Sequence, residues 1–113
     1  VPNHVHDVLN ILQNDVSEEF DSILATTDIV AVGAVKYAAA RSLRIPEELS
    51  IIGYNNTLMA LGCEPELSSI DNHCDTLCKT VVQHLLAVLA GSGDEPKKLT
   101  IGCELIKRGT TDF

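Results

Sequence analysis

Residues 23–56 read ILATTDIVAVGAVKYAAARSLRIPEELSIIGYNN, and this stretch decides the fold. A short apolar run over 22–26 reads as a buried strand. It stops at Thr27 and Asp28, polar oxygens standing directly before an apolar segment, which is the pattern of a helix N-cap. The segment 29–42 is rich in Ala and Val, good for helix and small in volume. Pro46 is expected to close that helix, because proline disfavours helical backbone in the residue before it. A second apolar run, 49–54, reads as the next strand. Strand, helix and strand fill roughly the length of a βαβ unit, which closes right-handed onto a parallel sheet. Apolar runs without polar alternation agree with strands covered on both faces.

Both strands end in short polar side chains, Thr27-Asp28 after the first and Asn55-Asn56 after the second. Two readings stay open. Asn tolerates left-handed backbone, and Thr, Asp and Asn cap helices, so turn chemistry accounts for all four. Alternatively the carboxyl ends of neighbouring parallel strands form the crevice where open α/β sheets bind small molecules. Hydroxyls and amides there suit a polyhydroxylated ligand such as a sugar, through directed hydrogen bonds.

Outward from this core, Val5, Val8, Leu9, Ile11 and Leu12 recur at helical spacing, giving a helix over about 4–14. After the second strand, 57–61 forms a short helix or turn, 67–70 a small strand and 71–90 an amphipathic helix stopped by Gly91. Residues 91–96 form a loop on every breaker signal, and 99–106 read as a last strand. The 113 residues are one ordinary domain in size, and 45% hydrophobic residues suffice for a core. The opening Val1-Pro2-Asn3-His4 resembles neither a signal peptide nor an initiator start, and the chain reads as a fragment. No apolar run approaches the ~20 residues that span a bilayer.

Sixteen acidic against eight basic residues give a net charge of −8, and the basic residues are scattered. Phosphate neutralisation needs clustered Lys and Arg, so this stretch is not expected to bind DNA by itself. Cys63, Cys74, Cys78 and Cys103 do not make a compact secreted framework. Cys74 and Cys78 share one helix face, with His73 and His84 near, but zinc sites show tighter, repeated ligand pairs. They read as plain reduced thiols, fitting the cytoplasm, and no metal or cofactor is assigned. No GxSxG, GxxxxGK[ST] or HExxH pattern occurs. Ser68 and Ser69 with His73 lack an orienting partner, and the paired glutamates at 18–19 and 47–48 read as solvated. Catalysis has no positive support.

The same residues resemble the sensor core of LacI/GalR-type transcription regulators. The stretch 23–56 is similar to that family's strand, Asn-Asp, "xxAxGAxxA" and "GLRIPEDxSIIGFDD"-like run; EPELSSID (64–71) to "PPLTTI"; and ELIKRGTT (104–111) to "LVxRxST". The resemblance implies a periplasmic-binding-protein-like α/β fold, a parallel-sheet three-layer sandwich of two lobes with a ligand between them. Residues 1–70 would belong to the C-terminal lobe, 71–106 to a partial segment of the N-terminal lobe, and 107–113 to a returning tail. The helix 71–90 would then be under-covered at Leu77, Val81, Leu85 and Leu89, and such an apolar patch invites self-association. Thr27, Asp28, Asn55 and Asn56 fall at ligand-contacting positions, with Thr27 where relatives carry Asn and Asn55 where they carry Asp. Ala31, Val32, Val35, Leu58, Leu61 and Cys63 fall in regions of the family's homodimer contact, although a small-residue helix also serves as plain core. The implied protein is a cytoplasmic, homo-oligomeric regulator, a repressor, that binds a sugar-like effector and reaches DNA through an N-terminal helix-turn-helix outside this stretch. Rival readings are a solute-binding protein of a sugar transporter, separable by the upstream sequence, and a small α/β enzyme or flavodoxin-like module.

Overall fold

In the computed structural model, residues 5–91 and 97–113 are described. The elements in chain order are α1 (Val5–Asn14), β1 (Ser22–Leu24), α2 (Asp28–Ala40), β2 (Ser50–Tyr54), α3 (Leu58–Gly62), β3 (Ser68–Asp71), α4 (Cys74–Leu89) and β4 (Glu104–Ile106). His4 and all but Gly91 of the loop expected at 91–96 lie outside the described residues.

The sheet runs β1-β2-β3-β4. β1, β2 and β3 are parallel, with Ile23 opposite Ile51 and Gly53 opposite Ser69; β4 joins β3 antiparallel. The fold is therefore a mixed α/β open sheet with mostly parallel strands. Ile23, Ile51, Gly53 and Ser69 share the face that α2 covers, and alternation puts Leu24, Ile52, Tyr54 and Ile70 on the other. On that second face Leu24 is 70% exposed. A depression of about 360 Å³ opens there between Leu24, Tyr54 and Ile70.

Helix α2 sits close on the sheet because its inner face is small. Ala31, Ala34 and Ala38 are fully buried against Leu49, Ile51, Ala60 and Leu67. Gly33 lets α1 approach equally closely: a Cβ there would come within 2.5 Å of the Val8 Cβ. Thr27 caps the helix in extended conformation (φ −150°), its Oγ1 accepting from the Val30 N–H at 3.3 Å. The other end corrects the expected terminator. Ser42 takes a left-handed turn (φ 56°), Leu43 N–H donates to Ala38 O at 2.9 Å, and Ser42 N–H donates to Ala39 O at 3.2 Å. Those paired bonds close the last carbonyls of the helix four residues ahead of Pro46.

The carboxyl-terminal tail is knitted into the sheet. β3 begins only at Ser68, so the row beside Ile51 is open, and Thr110 fills it. Ile51 N–H donates to Thr110 O at 3.0 Å, Thr110 Oγ1 donates to Ile51 O at 2.6 Å, and Ser68 N–H donates to Thr110 Oγ1 at 2.9 Å. Thr110 is wholly buried.

At the far end one expectation needs amendment, the length of the last strand. The last strand spans three residues rather than 99–106, because β3 offers partners only at Ser69, Ile70 and Asp71 before the chain turns into α4. Leu99 is 47% exposed. Helix α4 buries no residue, and Val81, Leu85 and Leu89 are each more than half exposed, whereas Leu77 is half-buried. A radius of gyration of 18.0 Å, against about 13 Å for a compact chain of this length, reflects this projecting arm.

Candidate functional site

The carboxyl ends of three parallel strands meet at one edge, and their shape is fixed by a buried carboxylate. Asp28, the first residue of α2, is 1% exposed. Its Oδ2 accepts from Thr57 N–H at 2.6 Å and Thr57 Oγ1 at 2.8 Å, and its Oδ1 accepts from Ser69 Oγ at 2.6 Å. The Ser69 hydroxyl in turn accepts from Asn56 N–H at 3.0 Å. Gly53 makes room for this carboxylate, since a Cβ at that position would collide with Asp28 Oδ1. One acidic group at a helix N-terminus, where the backbone dipole favours anions, thus ties α2, the segment after β2 and β3 together. Asp28 consequently presents no surface to a ligand. The expectation that it contacts one gives way to a positioning role.

Asn55 and Asn56 both adopt left-handed backbone, φ 91° and 49°. Their side chains then diverge in task. Asn56 is engaged at both ends, donating through Nδ2 to Asp71 Oδ2 at 3.2 Å and accepting through Oδ1 from Arg108 Nη2 at 2.7 Å. Arg108 also donates from Nη1 to Leu67 O at 2.8 Å. Asn56 is therefore a clamp between β2, β3 and the tail, not a free ligand contact. Asn55 is exposed and held at its backbone by Ile70 O at 2.8 Å. Its Oδ1 accepts from Asn72 Nδ2 at 3.1 Å, which leaves its own amide N–H groups without a bond among the described residues.

A helix running through all of 71–90, as the sequence leads one to expect, hides Asn72. In the structure α4 starts at Cys74, and Asp71-Asn72-His73 closes β3 just as the polar residues close β1 and β2. The signal that would have found it is that repetition of polar residues after a third strand. Asn72 Oδ1 is buried and lacks a hydrogen-bond partner among the described residues. Asp71 Oδ1 accepts from His73 N–H at 2.8 Å, and this bond, then the Asn56 amide, holds the Asp71 carboxyl below the usual carboxylate range. The His73 imidazole stands 3.9 Å from Asp71 Oδ1 and 3.8 Å from Glu104 Oε2, between the ends of β3 and β4.

Thr27 is half-buried with its hydroxyl capping α2, and Thr26 beside it is exposed. Because Leu24 pairs with Ile52, Thr27 and Asn55 lie at the same end of neighbouring strands. The edge thus gathers Thr26, Thr27, Asn55 and Asn72: hydroxyls and amides, able to give directed hydrogen bonds to neutral groups. Among the described residues, no group of three or more His, Cys, Asp or Glu is placed to hold a metal ion.

A second surface lies between α2 and α3. Val32, Val35, Lys36, Met59, Gly62 and Cys63 line a groove of about 410 Å³. Leu58 and Leu61 are 85% and 52% exposed beside it. Burial, with the Asp28 charge behind it, pushes the Cys63 thiol up. Ala31, expected on this surface, is fully buried under the sheet and gives no atom to it. Its side of α2 is core.

Residues 3–111 match the model of the periplasmic binding protein-like domain, and the chain belongs to that family. It is 42% identical, over 99% of its length, to an HTH-type transcriptional regulator of Lachnoclostridium phytofermentans, covering 34% of that protein. It is 30% identical, over 86% of its length, to the HTH-type transcriptional repressor CytR of Escherichia coli, covering 28% of it. Among solved structures, a LacI family transcriptional regulator of Enterococcus faecalis with bound ribose superposes with a TM-score of 0.82 at 26% identity, over 97% of this chain and 41% of that one. These findings bear out the LacI/GalR resemblance. The chain spans about a third of the length of the curated relatives it matches. No helix among the described residues is long and apolar enough to cross a membrane.

Proposed function

We propose that this chain is the effector-sensing and dimerisation part of a DNA-binding transcription regulator, a cytoplasmic repressor whose effector is a sugar or similar neutral polyhydroxylated molecule. The observation that carries the ligand reading is the Asn55–Asn72 amide pair, joined at 3.1 Å beside Thr27 at the carboxyl edge of the sheet. In this pair the Asn55 amide is exposed and has its donors free among the described residues, while Asn72 holds its oxygen in place. Exposed amide donors match the oxygens of a hydroxyl-bearing ligand, which accept such bonds. Asn55 gives neutral hydrogen bonds, about half as strong as those of a carboxylate, so several must add up. The bound ribose in the Enterococcus faecalis relative supports the ligand class.

In this reading the chain supplies one wall of a cleft, and the ligand acts by binding the closed arrangement of two lobes better than the open one. DNA is read by a helix-turn-helix elsewhere in the protein, consistent with the acidic balance of this stretch. Val32, Val35, Leu58, Leu61 and Cys63, joined by Met59, form the homodimer surface. The protein carries out no catalysis. Isothermal titration of the full-length protein against sugars and nucleosides tests the assignment. Asn55→Ala should weaken binding of the effector by roughly 3- to 10-fold, the worth of one neutral hydrogen bond. Unchanged affinity in that variant, or no binding across the panel, would remove the ligand reading.

A further inference from the structure

Asn55 and Asn56 stand side by side in left-handed backbone, at φ 91° and 49°. That region disfavours L side chains and persists where surrounding bonds over-determine it. Most of those bonds fall on Asn56. Its N–H donates to Ser69 Oγ at 3.0 Å, its Nδ2 to Asp71 Oδ2 at 3.2 Å, and its Oδ1 accepts from Arg108 Nη2 at 2.7 Å. Asn55 has its backbone bond to Ile70 O and the contact with Asn72. Two side-chain pairs thus join the segment after β2 to the segment after β3. One is the Asn55–Asn72 pair, and the other is the half-buried Asn56–Asp71 pair beside it.

The inner pair is the stiffer one because the tail holds it. The half-buried Arg108 guanidinium donates from Nη2 to Asn56 and from Nη1 to Leu67 O at 2.8 Å, a planar fork whose two donors move together. Bonds from a charged donor are roughly twice as strong as neutral ones. The backbone beside the fork is pinned too, with Arg108 N–H donating to Ser68 Oγ at 2.8 Å and Gly109 N–H to Glu66 O at 2.9 Å. Arg108 therefore fixes the direction of the Asn56 amide. Asn56 in turn fixes the spacing of the two segments that carry Asn55 and Asn72.

We propose that Arg108, in the tail two residues beyond β4, is a positioning residue for effector binding. Acting through Asn56, it holds the Asn55–Asn72 pair in the arrangement that meets a hydroxyl-bearing ligand. A pair held in advance spares binding the cost of ordering it, and a loosened pair shows that cost as lost affinity. The inference rests on the effector reading above and adds to it a residue 53 positions along the chain from Asn55.

Isothermal titration of the full-length protein with ribose, cellobiose, lactose and adenosine tests it, in a double-mutant cycle with Asn55. Arg108→Ala and Asn56→Asp should each weaken binding roughly 3- to 10-fold. Asn56→Asp keeps an acceptor for Arg108 but sets a second carboxylate against Asp71, so it breaks the inner pair with the tail still docked. Far-UV circular dichroism checks folding, and Asn56→Asp carries the test if Arg108→Ala unfolds. Arg108→Ala combined with Asn55→Ala should lose no more than the larger single loss, because one residue acts through the other. Independent structural damage would instead multiply the two losses. Multiplied losses overturn the positioning role and leave the effector reading standing. So does unaltered affinity in both Arg108→Ala and Asn56→Asp while Asn55→Ala binds weakly. Unchanged binding in Asn55→Ala, or no binding by the unaltered protein, removes the effector reading and this inference with it.

Discussion

Replacing Asp28 probes the site's architecture most directly, because two substitutions separate its charge from its shape. Asp28→Ala strips the partner from three donors, the Thr57 N–H, the Thr57 hydroxyl and the Ser69 hydroxyl. Thr57 is exposed, so water can take up part of what its donors lose, whereas the Ser69 hydroxyl is buried. A hydrogen bond to a charged group contributes about 1.5–3 kcal/mol. With that relaxation, a loss of about 2–4 kcal/mol follows, a large part of a typical domain's 5–15 kcal/mol. Asp28→Asn keeps the shape. Its oxygen can still accept both Thr57 donors, and its new amide nitrogen can donate to Ser69 Oγ, leaving a loss of about 1–2 kcal/mol. Urea unfolding of the full-length protein, followed by circular dichroism with linear extrapolation, reads both values. If the two variants lose equal stability, or the alanine variant loses under 1 kcal/mol, Asp28 is not the tie described here.

Other consequences are as concrete. Ser42 occupies a left-handed position that costs an L-residue about 1–2 kcal/mol and glycine nothing sterically, so Ser42→Gly should stabilise by about 0.5–1 kcal/mol after its entropic penalty, seen as a raised Tm. Arg108→Ala removes bonds to Asn56 and Leu67 and should cost about 2–3 kcal/mol, with faster hydrogen exchange at the Ile51 amide that pairs with Thr110. The Asp71 carboxyl titrates below its unfolded value, so the unfolded chain binds more protons in the acid range. Its contribution is complete above the unfolded value of about 3.9 and fades as pH falls through the lower folded one. Asp71→Asn should flatten that part of the acid limb in a stability-versus-pH profile.

The fold was legible wherever one residue's chemistry had one outcome. Thr27 before an apolar helix meant a cap, and two uninterrupted apolar runs around an alanine-rich helix meant parallel pairing. Features set by distant contacts were not legible. Asp28 looked like part of a mouth, but Gly53 and Ser69 draw its carboxylate inside. Asn56 looked equivalent to Asn55 until Arg108, 52 residues away, took its oxygen. Ala31 is small enough for an interface or a core, and only the sheet beneath α2 decides for core. The helix end at Ser42 was missed because serine carries none of glycine's preference for left-handed backbone, while Pro46 offered a louder but later stop.

Thr110 lies 59 residues beyond the strand edge that it completes. On the ribosome, Ile51 therefore waits with an open backbone until Thr110 has been made. The sheet can reach its final form only after that residue has emerged, and a truncation ahead of Thr110 would leave a gap between strands rather than a shorter end.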